Sequence, residues 1–347
     1  MKPIPVAIIG LGRIASLLED DALREKPCTH AGAIAANQDC TIAAGCDRDE
    51  ERRRLFAERW TSPVYADAAA MLEAQRPGIV HIATHPDSHY YYCELAARHG
   101  VPVVVCEKPL ADTLREARKI AALHKSGRIK ILTNHERRYS ADYVRAKAIL
   151  EEERLGPLLS VRMALYMGKT RRLLDVLWHD GTHLADAAMF LIGGTLQHRR
   201  HWGARLGAGK GTAWLEGWFQ TKQNASPADA SKTGITGAGK TERIPFLMEI
   251  GAGRDHLVFE LEFSCARGRL RIGNGVFEVW ESAESPYAEG FRSLARTGEA
   301  FEGKTGYFAN MMEDAVACCR ESGRQPQSSA ADGLAVIEYL HSVKAWS

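Results

Sequence analysis

The sequence predicts an α/β protein in which a doubly wound parallel sheet is followed by an α+β domain with an open, mostly antiparallel sheet. In the first part, 1–137, short apolar runs alternate with stretches of helical period, an order typical of parallel sheets covered by helices. The first apolar run leads directly into a pair of glycines. In the second part, 138–347, apolar residues recur with a period of two, which is typical of antiparallel strands with one exposed face.

The apolar runs of the first part predict buried parallel strands, because each is short, continuous and bounded by polar or turn-forming residues. These runs are Ile4–Ile9, Thr41–Cys46, Ile79–Ala83, Val101–Cys106 and Ile129–Thr133. The intervening stretches predict helices at Asp49–Trp60, Ala66–Ala74, Ser88–His99 and Asp112–His124. Ligands of such sheets bind at the carboxyl ends of the strands, so functional residues are expected there.

The second part begins with a predicted helix, Ala141–Glu153, and continues in strands that alternate between apolar and polar residues. The predicted strands are Leu158–Met167, His198–Trp202, Ala213–Gln220, His256–Phe263, Arg269–Ile272 and Phe277–Trp280. Asn274–Gly275, between the last two, predicts a tight hairpin turn. Further helices are predicted at Leu177–Ile192, Tyr307–Glu321 and Ala331–Val343, and the polar stretch 221–243 is predicted to be a surface loop.

Composition and charge argue against several classes of partner. The 45 basic and 43 acidic residues leave a net charge of +2 and are interspersed, whereas nucleic-acid binding needs basic residues clustered on one face. No apolar run approaches the roughly 20 residues that span a bilayer, and the first run opens into glycines rather than a cleavage site. The eight cysteines contain no CxxC pair, which predicts unpaired thiols and a reducing, cytoplasmic location. We therefore expect neither a nucleic-acid nor a membrane partner.

A glycine motif, Gly10-Leu11-Gly12-Arg13-Ile14-Ala15, directly follows the first predicted strand. Its glycines permit a tight turn and the close approach of a pyrophosphate, whose charge is stabilised by the N-terminus of the following helix. Alone, this pattern is weak, but its place between the first strand and a helix is that of the Rossmann dinucleotide site. The residues predicted to bind the dinucleotide here are Gly10, Gly12, Arg13 and Ile14.

Asp47, at the end of the second predicted strand, is the expected acidic partner of that motif. A carboxylate there accepts hydrogen bonds from the adenosine ribose hydroxyls and favours NAD. The neighbouring Arg48 leaves NADP as an alternative, since a guanidinium binds a 2′-phosphate well. The interval from Gly12 to Asp47 exceeds the usual ~20 residues, and we interpret the charged segment 19–29 as an insertion, with Thr29 capping a resumed helix.

A second motif, Glu107-Lys108-Pro109-Leu110, lies at the carboxyl end of the strand predicted at Val101–Cys106. In a doubly wound sheet, this position is near the nicotinamide end of a bound dinucleotide. An ammonium group beside a reacting oxygen is suited to donate or accept a proton, so Lys108 is a candidate catalytic residue. The alternative is a lysine at a strand exit, with a proline closing the turn.

A third motif carries His179, His183 and Asp186 at spacings of four and three residues, which places the three side chains on one face of a helix. One histidine is suited to take the proton of an alcohol, with a carboxylate to orient it. The two histidines are also a possible metal pair by spacing. A catalytic zinc needs a third protein ligand, for which the motif offers only uncertain carboxylates, so no metal is predicted.

Together these motifs resemble the Gfo/Idh/MocA oxidoreductases, the family that contains glucose-fructose oxidoreductase and inositol dehydrogenase. The resemblance rests on five segments and covers nearly the whole chain; they are Gly10–Ala15, Ile82–His89, Cys106–Leu110, Gly181–Asp186 and Ala331–Ser342. It implies an NAD(P)-binding Rossmann domain at 1–137 and a substrate-binding and oligomerisation domain at 138–347. The terminal helix is a candidate to pack back on the first domain.

The resemblance also implies roles for single residues. Lys108 is implied to contact both the nicotinamide ribose and the reacting hydroxyl, beside a cis Lys–Pro bond, and His183 to exchange the substrate proton. Asp186 is implied to be the acid downstream of that histidine. The residues implied to line the nicotinamide half of the cofactor are Glu107, Thr84, His85 and His89. The chain departs from the family at His179, where many relatives carry an aspartate, and its own Asp180 is shifted by one position.

The resulting hypothesis is an NAD(P)-dependent enzyme that moves hydride between nicotinamide and a secondary alcohol of a sugar, cyclitol or related polyol. The candidate substrate contacts are Asn134, Arg138, Arg172, His179, Asp180 and Asp186. The resemblance also implies a homodimer or homotetramer assembled through the second-domain sheet. Two alternatives stay open at this point: an NAD-dependent glycosidase or lyase that oxidises its substrate transiently, and a regulator that senses dinucleotide without turnover.

One further pattern is rejected. Residues Gly234–Thr241 fit the phosphate-loop pattern of nucleotide-triphosphate-binding proteins. The residues before them are polar and do not predict a strand, and Pro245 prevents the helix that must follow such a loop. We therefore expect no kinase or transferase site there.

Overall fold

The computed structural model describes residues 2–152, 154–168, 172–222 and 241–344. The chain divides into two compact units. The first consists of Met1–Ala141 with Gly303–Glu338, and the second of Asp142–Glu302 with Tyr339–Ser347. No helix in the described ranges has both the length and the apolar character needed to cross a membrane.

The sheet of the first unit has six strands. In chain order they are β1 (Ile4–Ile9), β2 (Cys40–Cys46), β3 (Val64–Tyr65), β4 (Ile79–Ile82), β5 (Val103–Cys106) and β6 (Lys130–Thr133). They lie in the order β3-β2-β1-β4-β5-β6, and every neighbouring pair is parallel. This confirms the doubly wound parallel sheet. The direction of winding reverses between β1 and β4, which is where such sheets bind ligands, at the carboxyl ends of the strands.

Apart from the pair at 173–192, the α-helices begin close to the predicted positions. In chain order they are α1 (His30–Ala36), α2 (Glu50–Trp60), α3 (Ala68–Gln75), α4 (His89–Arg98), α5 (Leu114–Lys125), α6 (Ala141–Glu151), α7 (Leu173–His179), α8 (Gly181–Ile192), α9 (Tyr307–Arg320) and α10 (Ala330–Lys344). Four of them start at a side-chain cap, because Thr29, Asp49, Asp67 and Thr113 each accept a hydrogen bond from the backbone N–H three residues on. The starts of these helices are therefore determined by residues that lie directly before them in the sequence.

The insertion expected at 19–29 interrupts the first helix of the unit. A single helical turn follows the glycines, with the Ser16 N–H donating to the Gly12 carbonyl at 3.2 Å. The chain then leaves the helix and returns at Thr29, whose hydroxyl accepts from the Gly32 N–H at 3.0 Å, so the predicted resumption of the helix at Thr29 is confirmed. On its return, the His30 N–H donates to the Ile14 carbonyl at 3.1 Å, the bond that an uninterrupted helix makes between residues four apart.

The core of the first unit lies on the faces of its sheet. Apolar side chains of β1 and β5 pack with those of α9, which comes from the C-terminal part of the chain; the buried members include Val6, Ile8, Val103, Val105, Phe308, Met311 and Met312. Removing this apolar surface from water stabilises the unit by roughly 25 cal/mol per Å². Parallel strands buried on both faces explain why the sequence shows continuous apolar runs here rather than alternation.

The second unit contains an eight-stranded sheet. Its strands are β7 (Leu158–Tyr166), β8 (Gly194–Gly203), β9 (Gly211–Lys222), β10 (Thr241–Ala252), β11 (Val258–Cys265), β12 (Gly268–Gly273), β13 (Val276–Glu284) and β14 (Arg292–Arg296). They lie in the order β14-β13-β12-β11-β7-β10-β9-β8. Only β7 and β10 pair in parallel among these neighbours, so the open, mostly antiparallel sheet is confirmed.

One face of this sheet is apolar and the other polar. Along β11, Phe259, Leu261 and Phe263 are buried, whereas Glu260 and Glu262 between them are half-buried. The two glutamates form ion pairs with arginines of β12 on the polar face. The hairpin predicted at Asn274–Gly275 joins β12 to β13, and Gly275 adopts a φ of 74° there, as such a turn requires.

Three predictions about the second unit need correction. The predicted loop at 221–243 is strand at both ends, since β9 runs to Lys222 and β10 begins at Thr241; residues 223–240, which hold most of the rejected phosphate-loop pattern, lie outside the described residues. The strands β10 and β14 were not predicted. The single helix predicted at Leu177–Ile192 is two helices, α7 and α8, that meet at Asp180.

Candidate active site

The glycine turn follows β1 and packs against the end of β4. A Cβ atom added to Gly10 would lie 2.7 Å from the carbonyl oxygen of Ala83 and 2.9 Å from Cγ2 of Thr84, and the φ of Gly10 is 88°. A Cβ atom added to Gly12 would meet nothing nearer than an Arg52 guanidinium nitrogen at 3.9 Å. Gly10 is thus required by the packing of the protein, whereas Gly12 faces open space of the kind that a pyrophosphate needs to approach the backbone.

Asp47 fastens this turn to the end of β2. Its Oδ2 accepts from the Leu11 N–H at 2.8 Å, and its Oδ1 accepts from the Asp49 N–H at 3.0 Å. A guanidinium nitrogen of Arg52 lies 3.6 Å from the carboxylate. The predicted residues Arg13 and Arg48 are exposed, and Ile14 is half-buried. The arginine that the structure places at the carboxylate is Arg52, which sequence reasoning missed; its position one turn into α2, three residues after the Asp49 cap, was the available signal.

Residues just beyond β4, β5 and β6 are tied side by side by backbone hydrogen bonds. The Ala83 N–H donates to the Ile9 carbonyl at 2.8 Å, the Glu107 N–H to Ile82 at 2.9 Å and the Asn134 N–H to Cys106 at 2.7 Å. The glycine turn, Thr84, Lys108 and Asn134 therefore follow successive strands along one edge of one sheet. This is the edge that the sequence predicts to bind the dinucleotide.

His89 links two of the loops at this edge. Its Nε2 lies 3.1 Å from the Thr84 carbonyl, and its Nδ1 lies 3.1 Å from the Pro109 carbonyl and 3.3 Å from that of Leu110. The ring is fully buried, and burial lowers the pKa of His89. Its contacts in the structure are with these loops, so it holds the segment that carries Lys108. Thr84 is half-buried, and His85 is exposed beside it.

The Glu107–Pro109 segment pairs a half-buried lysine with a buried carboxylate. Glu107 is 7% exposed; its Oε1 contacts His30 Nε2 at 2.9 Å and accepts from Asn134 Nδ2 at 2.6 Å. The peptide bond between Lys108 and Pro109 is cis, as the resemblance implied. Burial raises the pKa of Glu107, but the hydrogen bonds from His30 and Asn134 and the charge of Lys108 outweigh it and lower the pKa overall. The carboxylate is therefore held ionised.

Sequence reasoning missed two residues of this region, His30 and His81. His81, on β4, contacts His30 Nδ1 through its own Nδ1 at 2.8 Å, and both side chains are fully buried. Neither histidine stands in a motif, and 51 residues separate them in sequence. Only the parallel pairing of β1 with β4 and the return of the chain at Thr29 bring them together.

In the second unit, His183 and Asp186 lie on α8, and His183 is half-buried while Asp186 is 1% exposed. Their spacing of one helical turn, expected from the sequence, is present. His179 is the last residue of α7 and is exposed. It therefore does not continue the face of α8, which corrects the prediction that all three side chains share one helix. Asp180, at the junction, accepts the His183 N–H through its carbonyl at 3.1 Å.

Three further candidate substrate contacts have protein partners. Asn134 donates to Glu107 as described. Arg138 is 7% exposed and forms an ion pair with Asp332 at 3.0 Å within the first unit. Arg172, in the second unit, is exposed and makes a bidentate ion pair with Asp175 at 2.8 and 3.0 Å. Within the described ranges, no cluster of three or more His, Cys, Asp or Glu side chains is arranged to hold a metal ion.

A glycine turn at the first strand of a doubly wound sheet, an acidic residue at the second and a lysine at the fifth define an oxidoreductase of the dinucleotide-binding class. Residues 4–135 match the oxidoreductase family with an NAD-binding Rossmann fold that is named Gfo/Idh/MocA. The matched segment comprises nearly all of the first part of the chain.

Individual relatives agree with this assignment. The chain is 26% identical to the D-apiose dehydrogenase of Paraburkholderia graminis over 317 residues, which cover 85% of this chain and 78% of the relative. Among solved structures, the UDP-N-acetylglucosamine 3-dehydrogenase of Acidithiobacillus ferrooxidans is similar at a TM-score of 0.73 and 16% identity, over 100% of this chain and 98% of the other. An oxidoreductase of Agrobacterium radiobacter was solved with NAD+, L-tartaric acid and magnesium. It is similar at a TM-score of 0.68 and 18% identity, over 99% of this chain and 96% of the other. At these identities the two structures show the fold alone.

Proposed function

We propose that the chain is an NAD(P)-dependent dehydrogenase or reductase that transfers hydride between nicotinamide and a secondary alcohol of a sugar, cyclitol or related polyol. The observation that carries the proposal is Lys108, half-buried at the carboxyl end of β5 and next to the ionised Glu107. It follows the strand beside β4, whose end packs on the glycine turn. The sugar class is supported by the D-apiose dehydrogenase relative.

The proposed mechanism assigns one task to each of two side chains. A bound nicotinamide supplies the acceptor or donor of hydride. Lys108 directs its ammonium group at the hydroxyl oxygen and stabilises the negative charge that develops there. His183 takes the hydroxyl proton as a general base in oxidation and returns it in reduction, and we propose that Asp186, one turn further along α8, orients it.

For the cofactor, we propose NAD, with NADP as the alternative. Asp47 supports NAD, since a carboxylate at the end of β2 accepts hydrogen bonds from the ribose hydroxyls and repels a 2′-phosphate. Arg52 favours some tolerance of NADP, because its guanidinium lies 3.6 Å from that carboxylate and is half exposed. This arginine replaces Arg48 as the candidate for phosphate binding.

We further propose a role for each unit, an oligomeric state and a cellular location. The first unit holds the cofactor, and the second provides His183 and assembles two or four copies through the polar face of its sheet. The ion pairs between Glu260 or Glu262 and the arginines of β12 support an interface that is polar rather than apolar. All eight cysteines are unpaired, which supports a reducing, cytoplasmic location.

The test is a screen of sugars, sugar acids and cyclitols with both oxidised cofactors, followed by the absorbance of reduced nicotinamide. We expect turnover with at least one member and a preference for NAD. Lys108→Met keeps the length of the side chain and removes its charge, so turnover is expected to fall by about 100-fold or more. Lys125→Met, at the exposed end of α5, is the matched control and is expected to keep wild-type turnover. Unchanged turnover in Lys108→Met would show that the catalytic assignment is wrong.

A further inference from the structure

A buried chain of hydrogen bonds runs from β4 to the Glu107 carboxylate. His81 contacts His30 at 2.8 Å, His30 contacts Glu107 at 2.9 Å, and Asn134 donates to the same carboxylate oxygen at 2.6 Å. Glu107 Oε2 accepts from the Lys108 N–H at 3.2 Å. Phe308 of α9 contacts the His30 ring edge-on, at a centroid distance of 5.4 Å.

The chemistry of the partners fixes the protons in this network. An ionised carboxylate only accepts hydrogen bonds, so His30 carries a proton on Nε2 and Asn134 turns its amide nitrogen toward Glu107. In its neutral form, His30 accepts at Nδ1, and His81 donates from its own Nδ1. The remaining nitrogen, His81 Nε2, has no hydrogen-bond partner among the described residues. A bare lone pair there costs less than an unpaired N–H, and burial lowers the pKa of His81 and keeps it neutral.

His30 reaches this position only because the chain returns to its helix in register. Its N–H bonds to the Ile14 carbonyl, and the Ala31 N–H bonds to Ala15 at 2.9 Å. His30 therefore occupies the helical position four residues after Ile14, although it is 16 residues later in the sequence. The insertion is fastened at this point, since Glu19 accepts from the Thr29 hydroxyl at 2.6 Å and from the Cys28 N–H at 3.2 Å.

We propose that His30 and His81 are positioning residues of the proposed nicotinamide site, which fix the Glu107 carboxylate beside Lys108. His30 donates to the carboxylate, and His81 fixes the tautomer of His30. The insertion 19–29 determines the point at which His30 enters the helix. The ionised Glu107 then provides a fixed negative charge at the strand end that carries Lys108. The roles of Glu107 and Lys108 rest on the proposed function, but the network itself does not.

The pH dependence of Glu107 is set by the groups around it. These are His30 from α1, Lys108 in its own segment, Cys106 from β5, His89 from α4 and the uncharged Asn134 beyond β6. Lys108 and the donors His30 and Asn134 favour the ionised carboxylate. Removing the His30 donor therefore raises the pKa of Glu107, whereas the other groups are unchanged.

The first experiment examines the wild-type chain by NMR, with isotope-labelled histidine and glutamate side chains. We expect His30 to carry its proton on Nε2 and His81 on Nδ1 wherever Glu107 is ionised. A His81 proton on Nε2, or a neutral His30 protonated on Nδ1, would overturn the proposal without any assay of activity.

The second experiment compares two substitutions that differ only in reach. The amide nitrogen of His30→Gln occupies the place of the histidine Nε2, while that of His30→Asn reaches only the place of Nδ1. We expect His30→Gln to retain the lowered pKa of Glu107 and His30→Asn to raise it, with the acid limb of kcat/KM moving to higher pH and kcat/KM falling about 10-fold or more. Thermal melting confirms that both variants are folded.

The possible outcomes separate this proposal from the proposed function. An unchanged Glu107 pKa in His30→Asn, or a His30→Gln variant that behaves like His30→Asn, overturns the positioning role. If the wild type binds neither NAD+ nor NADP+ in calorimetry, the proposed function fails, yet the tautomers and the Glu107 titration still decide whether the network exists.

Discussion

At the scale of single residues, the two glycines of the turn do different work. Gly10 carries a positive φ and touches the end of β4, so its lack of a Cβ is a requirement of the fold. Gly12 has open space beside it, so its lack of a Cβ leaves room for a ligand to approach the backbone. The sequence motif treats the two positions alike; the structure separates a folding role from a binding role.

We therefore predict that alanine at position 10 lowers stability, whereas alanine at position 12 weakens cofactor binding. Gly10→Ala combines a strained φ with a backbone clash and is expected to lower the free energy of unfolding by about 1–3 kcal/mol. Gly12→Ala is expected to change that free energy by no more than about 0.5 kcal/mol while weakening NAD+ binding at least about 10-fold. Thermal melting and calorimetric titration measure the two quantities. A destabilised Gly12→Ala, or one with intact NAD+ affinity, would contradict the assignment.

Residues that stand in local motifs could be predicted from the sequence, and those brought together by the fold could not. Asp47 and Lys108 each follow a strand, so topology alone places them at the binding edge. His30 and His81 have no such marker, because their partnership depends on the length of an insertion. Arg52 was missed for a related reason. Its side chain reaches Asp47 from the first turn of α2, whereas the sequence analysis considered only Arg48, the residue that directly follows Asp47.

At the scale of elements, the carboxylate of Glu25 anchors the insertion to the start of α9. Glu25 accepts from the Thr305 N–H at 2.8 Å, from the Thr305 hydroxyl at 3.0 Å and from the Gly306 N–H at 2.7 Å, at the start of α9. Burial raises the pKa of Glu25, but these hydrogen bonds outweigh it and hold the pKa below its ordinary value. Glu25 thus couples the insertion to the helix whose Phe308 packs on His30.

We predict a pH-dependent loss of stability for Glu25→Gln. Since the pKa of Glu25 is lowered in the folded state, the ionised group stabilises the fold at neutral pH, and this contribution is lost as pH falls through the lowered value. The substitution should cost about 1–2 kcal/mol near pH 7 and much less at strongly acidic pH. Urea unfolding at both pH values measures this. Glu73→Gln, at an exposed position of α3, is the control, and an equal loss at both pH values would exclude the ionised carboxylate as the anchor.

Most elements were predictable because their signals are local. Strands β1 and β5 are continuous apolar runs, and Thr29, Asp49 and Thr113 mark helix starts through their own hydroxyl or carboxylate. The strand β10 was not predicted. Pro245 lacks an N–H and argues against an interior strand, yet it pairs with Trp218 of β9, just before the pairing with β7 begins at Phe246. The break between α7 and α8 at Asp180 coincides with Asp180-Gly181, a dipeptide typical of turns. The prediction of one helix followed the helical spacing of His179, His183 and Asp186 instead.

At the scale of the whole molecule, the family match of residues 4–135 and the fold agree with the class of enzyme that the sequence predicts. The parallel sheet of the first unit and the antiparallel sheet of the second are both confirmed, and residues 4–135 match an NAD-binding oxidoreductase family. What single-residue motifs do not determine is the path of the reacting hydrogen. Net dehydrogenation moves it from substrate to cofactor, whereas transient oxidation returns it to the product.

The most direct measurement of the central claim follows that hydrogen. A substrate found in the screen is deuterated at the carbon that bears the reacting hydroxyl and is incubated with NAD+, and the nicotinamide is examined by NMR. We predict that deuterium accumulates on the nicotinamide ring with the wild type and does so about 100-fold more slowly with Lys108→Met and with His183→Asn. Product that forms while the cofactor stays unlabelled, or that takes the deuterium back, would contradict the account.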